Sequence, residues 1–241
     1  MTMTCVWLTP TVSADHCEAV ARCRRYLHRH RKTHLSFLDE TALRVNAVPS
    51  HTLVAAGETA YVVVEDDTSY ARRYDMIACC TADRTFPPII FSPEDRKELG
   101  VKGIQTHMLE HYIHSLLAQA LAALDRYPLI LTLDKSNVHN INKIKEALIE
   151  GGCQDVAHIM HLPTQAAKRV SPLDNSIFHT WKERVKENGG LTSANIKQVM
   201  ADTWNALEPE LLLSNYKHCL LMLRQNPYAD GPLPHLHQHS S

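Results

Sequence analysis

Residues 129–133, with the sequence Leu-Ile-Leu-Thr-Leu, constrain the fold of this 241-residue chain more than any other segment. A continuous apolar run without polar alternation is typical of a strand that is buried on both faces, as in a parallel sheet covered by helices. Asp134 follows this run directly. Since ligands of α/β proteins bind beyond the carboxyl ends of such strands, the segment predicts an α/β fold with a site near Asp134.

The rest of the chain supplies strands and helices for such a sheet. Apolar or alternating patterns predict strands at residues 35–39, 60–64, 75–81, 88–91 and 156–162. Helical periodicity predicts helices at residues 15–28, 103–124, 140–150, 174–188, 193–207 and 208–223. This order favours a mixed sheet in which an antiparallel meander leads into parallel strands, flanked by helices.

The composition is that of a globular protein, with 44% hydrophobic and 21% charged residues. The longest apolar stretch, residues 116–124, is far shorter than the roughly 20 residues that a bilayer span needs. The first twelve residues lack the regions of a secretory signal, and the seven cysteines include no C-x-x-C pair. We therefore expect a protein inside the cell, with reduced thiols and no membrane partner.

The first 34 residues are basic, with six Lys or Arg residues against two acids. Such a surface suits DNA phosphates because Lys and Arg displace the counterions of DNA. A solvated helix face is the alternative. The predicted DNA-contacting residues are Arg22, Arg25, Arg29, Arg31 and Lys32, together with Lys168 and Arg169 further along the chain.

Three acids stand at positions where carboxylates could meet. Asp39 ends the apolar run at residues 35–38, Asp134 ends the buried strand, and Asp174 begins a helix four residues before Phe178 on its apolar stripe. Each acid alone has a structural explanation as a turn or helix cap. Together, the three could bind paired Mg²⁺, the arrangement that drives in-line phosphoryl transfer.

These acids lie in three short blocks. The blocks are Phe37-Leu-Asp39-Glu40, then Leu131-Thr-Leu-Asp134 with His139 five residues on, then Leu162-Pro163 followed by Ser171-Pro-Leu-Asp174-Asn-Ser-Ile-Phe178. In this order they resemble the catalytic blocks of mariner-like transposases, members of the acidic-triad transposase and integrase superfamily with an RNase H-like core. The 39 residues between Asp134 and Asp174 resemble the spacing of the branch whose third acid is aspartate.

The resemblance implies a metal-dependent DNA endonuclease and strand-transferase core. Asp39, Asp134 and Asp174 would be its catalytic residues and would bind two Mg²⁺ or Mn²⁺ ions, with His139 as an auxiliary residue. Its partners would be DNA, as transposon ends and target, and a second copy in a homodimer. The expected location is the nucleus if the source is a eukaryote.

The resemblance also implies a domain organisation. Residues 1–34 would be a basic helical linker that follows absent helix-turn-helix modules, and residues 35–225 the RNase H-like catalytic domain. Residues 226–241, rich in Pro and His, would be a disordered tail.

The chain departs from the family pattern in two places. Lys135 replaces the amide residue that commonly follows the second aspartate, and the third block lacks its usual proline pair. Lys135 could pair with Asp134 or point away by strand alternation. The alternative function is therefore a catalytically inactive or co-opted relative that binds nucleic acid or protein. Glu40 is expected on the other side of its strand, with a structural role, and His139 could orient a phosphate or Asp134, or cap a helix.

Overall fold

The computed structural model describes residues 14–45, 72–163, 167, 169–188 and 191–221. Three predicted features lie outside these residues: the strand at residues 60–64, the tail at residues 226–241, and Lys168. Within the described residues, no helix combines the length and the apolar character that crossing a membrane requires.

In the described part of the chain, five strands form one mixed sheet in the order β3-β2-β1-β4-β5. The strands are β1 (Leu35–Arg44), β2 (Arg73–Cys80), β3 (Ile89–Phe91), β4 (Leu129–Asp134) and β5 (Val156–Leu162). Strands β1, β2 and β3 pair antiparallel, whereas β4 pairs parallel with both β1 and β5. The predicted α/β class, with a meander that leads into parallel strands, is confirmed.

Helices cover both faces of this sheet. They are α1 (Ala14–His28), α2 (Pro93–Glu98), α3 (Thr106–Tyr112 and Ala118–Ala122, joined by a π-helical turn at Ile113–Leu117), α4 (Ile141–Glu150), α5 (Phe178–Glu187, preceded by a π-helical turn at Leu173–Ile177), α6 (Ile196–Asn205) and α7 (Pro209–Leu221). The short α2 is not predicted from periodicity. A capping box begins it, in which Ser92 and Asp95 exchange backbone and side-chain hydrogen bonds.

Two hydrophobic clusters lie against the sheet, one on each face. The α1 face carries side chains of α1, α5, α6 and α7 and includes Phe37 and Ile130. The α3 face carries side chains of α3 and α4 and includes Leu38 and Leu131. Because residues 129–133 of β4 contribute to both faces and are buried, this strand is the double-sided core strand that its sequence predicts.

Helix α1 belongs to the core of the α1 face. Val20 and Leu27 are buried in that cluster, and the helix contacts α7. The described part of the segment predicted as a basic helical linker, residues 14–34, thus packs on the hydrophobic core of the sheet.

Candidate metal and nucleic-acid site

Asp39 and Asp134 lie on the neighbouring inner strands β1 and β4 of the sheet. Strands β1 and β4 are parallel neighbours in which Phe37 pairs with Thr132. Asp39 stands two residues after Phe37, and Asp134 stands two residues after Thr132. Side chains two residues apart share a face. Across β2, Asp39 pairs with Ala78, which belongs to the cluster of the α1 face. Both carboxylates are therefore directed toward the α1 face.

Asp174 reaches the same face from the π-helical turn before α5. Leu173 and Ile177, on either side of it, are buried in the cluster of the α1 face. Asp174 itself is exposed at the solvent edge of this apolar stripe, although the sequence places it within the stripe. An exposed carboxylate at this position is accessible to an incoming substrate.

The carboxyl group of Asp39 is strongly perturbed by its surroundings. Asp39 is only 9% exposed, and its pKa lies well above the usual value, chiefly because of burial. The charges of Asp174 and Glu40 raise the pKa further, and Asp134 adds a smaller contribution. The backbone N–H of Glu40 donates to Oδ1 of Asp39 at 2.7 Å and partly offsets this repulsion. A cation among these carboxylates would relieve it.

His139 is buried behind Asp134. Its Nε2 lies 2.9 Å from Oε1 of Glu40, and its Nδ1 lies 2.9 Å from the carbonyl oxygen of Asp134. Both ring nitrogens therefore face oxygens, and the imidazolium is the form with an N–H on each. Burial alone would lower the pKa of His139, but its hydrogen bonds to Asp134 and Glu40 outweigh burial and raise the pKa to about 10.

The carboxylate of Asp134 also faces His139. Its Oδ1 is buried and lies 2.8 Å from Nδ1 of His139. That nitrogen carries a single N–H, which also meets the backbone carbonyl of Asp134. The side chain of Asp134 is 28% exposed, so its other oxygen, Oδ2, is the one that is open to a cation.

The three acids have the chemistry of a magnesium or manganese site, since hard divalent cations prefer carboxylate oxygens. The repulsion at Asp39 agrees with this. Among the described residues, no group of three or more His, Cys, Asp or Glu side chains is close enough together to hold a metal ion.

The predicted DNA-contacting residues of α1 lie on its outer side. Val20, Cys23 and Leu27 pack inward. The exposed residues are Arg22 and Arg25 on the helix and Arg29 and Arg31 just after it, while Lys32 is half-buried. The helix therefore presents a basic surface opposite the side that packs on the sheet.

Arg169 connects α1 with the segment before the third acid. Its backbone carbonyl accepts a hydrogen bond from Nη2 of the buried Arg24 at 2.7 Å, and its side chain is half-buried. The contact ties the basic helix to the chain five residues before Asp174. Lys168, its neighbour, lies outside the described residues.

Sequence reasoning missed one residue of the site. Glu40 does lie on the α3 face, where it pairs across the sheet with Ile77. Its side chain nevertheless contacts His139 and so reaches the second acid. The available signals were an acid directly after Asp39 and a histidine five residues after Asp134.

Comparison with known proteins places this geometry in a known fold. No protein-family model matches the sequence, and no curated protein matches it. Among solved structures, a Mos1 transposase paired-end complex with the left transposon end matches with a TM-score of 0.67 and 12% identity, over 92% of this chain and 64% of that chain. A Mos1 mariner paired-end complex with Mn matches with a TM-score of 0.65 and 11% identity, over 95% of this chain and 66% of that chain.

The catalytic domain of Mos1 mariner transposase also matches, with a TM-score of 0.52 and 9% identity, over 89% of this chain and 97% of that domain. The chain has the fold of the mariner transposase catalytic domain. The RNase H-like architecture implied by the three sequence blocks is therefore confirmed at the level of the fold. The chain spans less than two thirds of the length of the Mos1 chains in the paired-end complexes.

Proposed function

We propose that this chain is the catalytic core of a metal-dependent DNA endonuclease and strand transferase of the mariner transposase type. One observation carries the proposal: Asp39, within β1, and Asp134, at the end of β4, lie on neighbouring parallel strands and face the same side of the sheet, on which the π-helical turn of Asp174 packs. The likeness of the fold to the Mos1 catalytic domain supports it.

Asp39 and Asp134 would hold one divalent ion between them, and Asp174 would complete the site. Mg²⁺ or Mn²⁺ fits the carboxylate donors, and the Mos1 paired-end complexes contain Mn or Mg. When bound, a pair of such ions stabilises the attacking and leaving oxygens of an in-line displacement. His139 would act as an auxiliary residue, because its contacts fix the backbone and side chain of Asp134.

DNA would be the substrate, both as transposon ends and as target. The exposed arginines of α1 supply charges that suit a phosphate backbone. The Mos1 complex contains a left transposon end, bound by a longer chain than the part that matches here. The same proposal includes a homodimer and, if the source is a eukaryote, a nuclear location. It also includes recognition of a particular DNA site by modules outside the matched part.

A nicking assay tests this function. The purified chain with supercoiled plasmid should produce nicks when Mg²⁺ or Mn²⁺ is present, and Asp134→Asn should abolish them. Asp125→Asn is the matched control, since Asp125 is an exposed residue with a φ of 51° that asparagine also adopts readily. Nicking that persists in Asp134→Asn would mean a contaminant or another site.

The alternative is a catalytically inactive or co-opted domain that binds nucleic acid or protein. It is favoured by the observation that, in the described residues, the acids do not come close enough together to form a metal-holding group. Its signature would be salt-sensitive DNA binding without nicks at any Mg²⁺ or Mn²⁺ concentration.

A further inference from the structure

We propose that Glu40 is a positioning residue, whose side chain acts through His139 to hold the carboxylate of Asp134 in place for a divalent cation. This inference rests on the proposed function, because it concerns the same metal site. Glu40 is a fourth carboxylate, beyond the three acids of the sequence blocks.

The contacts form an unbroken series from one face of the sheet to the other. Oε1 of Glu40 lies 2.9 Å from Nε2 of His139, and Nδ1 of the same ring lies 2.8 Å from Oδ1 of Asp134. The ring also binds the backbone carbonyl of Asp134 at 2.9 Å. The imidazole therefore holds Asp134 at two points and is itself fixed by Glu40.

Burial excludes direct chemistry by this histidine. The side chain of His139 has no exposed surface, whereas that of Asp134 is 28% exposed. DNA can therefore reach Asp134 and cannot touch the ring behind it. A group in this position acts by orienting the ligand, as the residues behind metal ligands commonly do.

The backbone of Glu40 has a separate role that substitutions leave intact. Its N–H donates to Oδ1 of Asp39 at 2.7 Å. This hydrogen bond does not depend on the side chain, so variants of Glu40 change the contact to His139 and preserve the one to Asp39. The two acids can therefore be affected independently.

Mn²⁺ affinity without DNA, measured by titration calorimetry on the full chain, is the direct readout. Glu40→Leu should weaken binding by about 10- to 100-fold, the usual effect of losing a residue behind a metal ligand. Glu40→Gln keeps an oxygen acceptor for Nε2 and should restore part of the affinity. Glu146→Leu, at an exposed position of α4, is the control and should bind Mn²⁺ as the wild type does.

A second pair of variants keeps the test decisive if Glu40→Leu does not fold. Glu40→Asp retains the carboxylate but, with a shorter side chain, places it farther from the ring. If Glu40 is a positioning residue, this variant should also bind Mn²⁺ more weakly. His139→Gln should weaken binding as well. Combining it with Glu40→Gln should cost less than the sum of the two single effects, because both act through one series of contacts.

The outcomes separate the two proposals. Unchanged Mn²⁺ affinity in folded Glu40→Leu or Glu40→Asp, with affinity lost in Asp134→Asn, would overturn the positioning role alone. Equal Mn²⁺ affinity in the wild type and in Asp134→Asn would overturn the metal site of the proposed function and the role of Glu40 with it.

Discussion

The charge of Asp174, in the π-helical turn before α5, raises the pKa of Asp39 in the strand beneath it. The two acids are 135 positions apart in the sequence and are brought to the same face of the sheet because the apolar stripe around Asp174 packs on the α1 face. Without a cation, this juxtaposition costs stability. Such costs are typical of sites that are arranged for function.

Asp39→Asn should therefore raise the free energy of unfolding at pH 7 in the absence of divalent cations. The pKa of Asp39 is higher in the folded state than in the unfolded state, so the folded protein binds the proton more tightly and loses stability as the pH rises above the unfolded pKa of about 4. The advantage of asparagine should disappear near pH 3.5. Urea unfolding at both pH values measures it.

Asp125→Asn is the control for this comparison and should change little at either pH. An Asp39→Asn protein that is less stable than the wild type at pH 7 would show that the carboxylate is stabilised by its surroundings.

Thr132→Val should stabilise the protein by about 1 kcal/mol. Thr132 is fully buried in β4, and its Oγ1 has no hydrogen-bond partner among the described residues. Valine has nearly the same shape and carries no polar atom. Thermal unfolding in the presence of EDTA provides the measurement.

Ser36→Ala is the contrasting variant on the neighbouring strand. Ser36 is also buried, but its hydroxyl donates to the carbonyl oxygen of Ile130 at 3.1 Å. Its loss should destabilise the protein by about 1 kcal/mol. If Thr132→Val destabilises as much as Ser36→Ala, then Oγ1 of Thr132 has a partner such as bound water.

Arg24→Met should leave stability within about 1 kcal/mol of the wild type, whereas Arg24→Ala should cost about 2–4 kcal/mol. Arg24 is 2% exposed, burial lowers its pKa, and its Nε and Nη1 have no hydrogen-bond partner in the described residues. Methionine fills the volume and removes the buried charge, at the loss of the hydrogen bond to Arg169. Equal destabilisation by both substitutions would mean that the contacts of the guanidinium offset the cost of burying its charge.

Replacement of exposed arginines in α1 and directly after it should weaken DNA binding and make the affinity less dependent on salt. In Arg25→Gln/Arg29→Gln, the slope of log affinity against log salt should become less steep by about 2, since each phosphate contact contributes roughly 0.9. The control is Lys97→Gln/Lys102→Gln, which removes two exposed charges near the opposite edge of the sheet. A similar change in both double variants would mean that α1 has no special role.

The sequence predicts best the elements whose pattern is local. Strand β4 begins at the predicted residue and ends one residue later, because an unbroken apolar run needs burial on both faces. Strand β1 continues to Arg44, beyond the predicted end at residue 39. Its extra length depends on antiparallel pairing with β2, which the sequence of β1 alone does not contain.

In the candidate site, too, the features with a local sequence pattern are predicted and those that depend on distant residues are not. Positions at strand ends indicate Asp39 and Asp134 from the sequence, and the structure places them on neighbouring strands. The role of Glu40 depends on His139, which lies 99 positions away and approaches from beyond β4. The π-helical turn that carries Asp174 likewise has no local signal in the apolar spacing.

Anomalous diffraction from crystals grown with Mn²⁺ locates the ions directly. We expect one ion coordinated by carboxylate oxygens of both Asp39 and Asp134, with Asp174 drawn in to a second ion about 3.5–4 Å from the first. A structure at saturating Mn²⁺ with no anomalous peak between Asp39 and Asp134 would mean that these acids do not form a metal site.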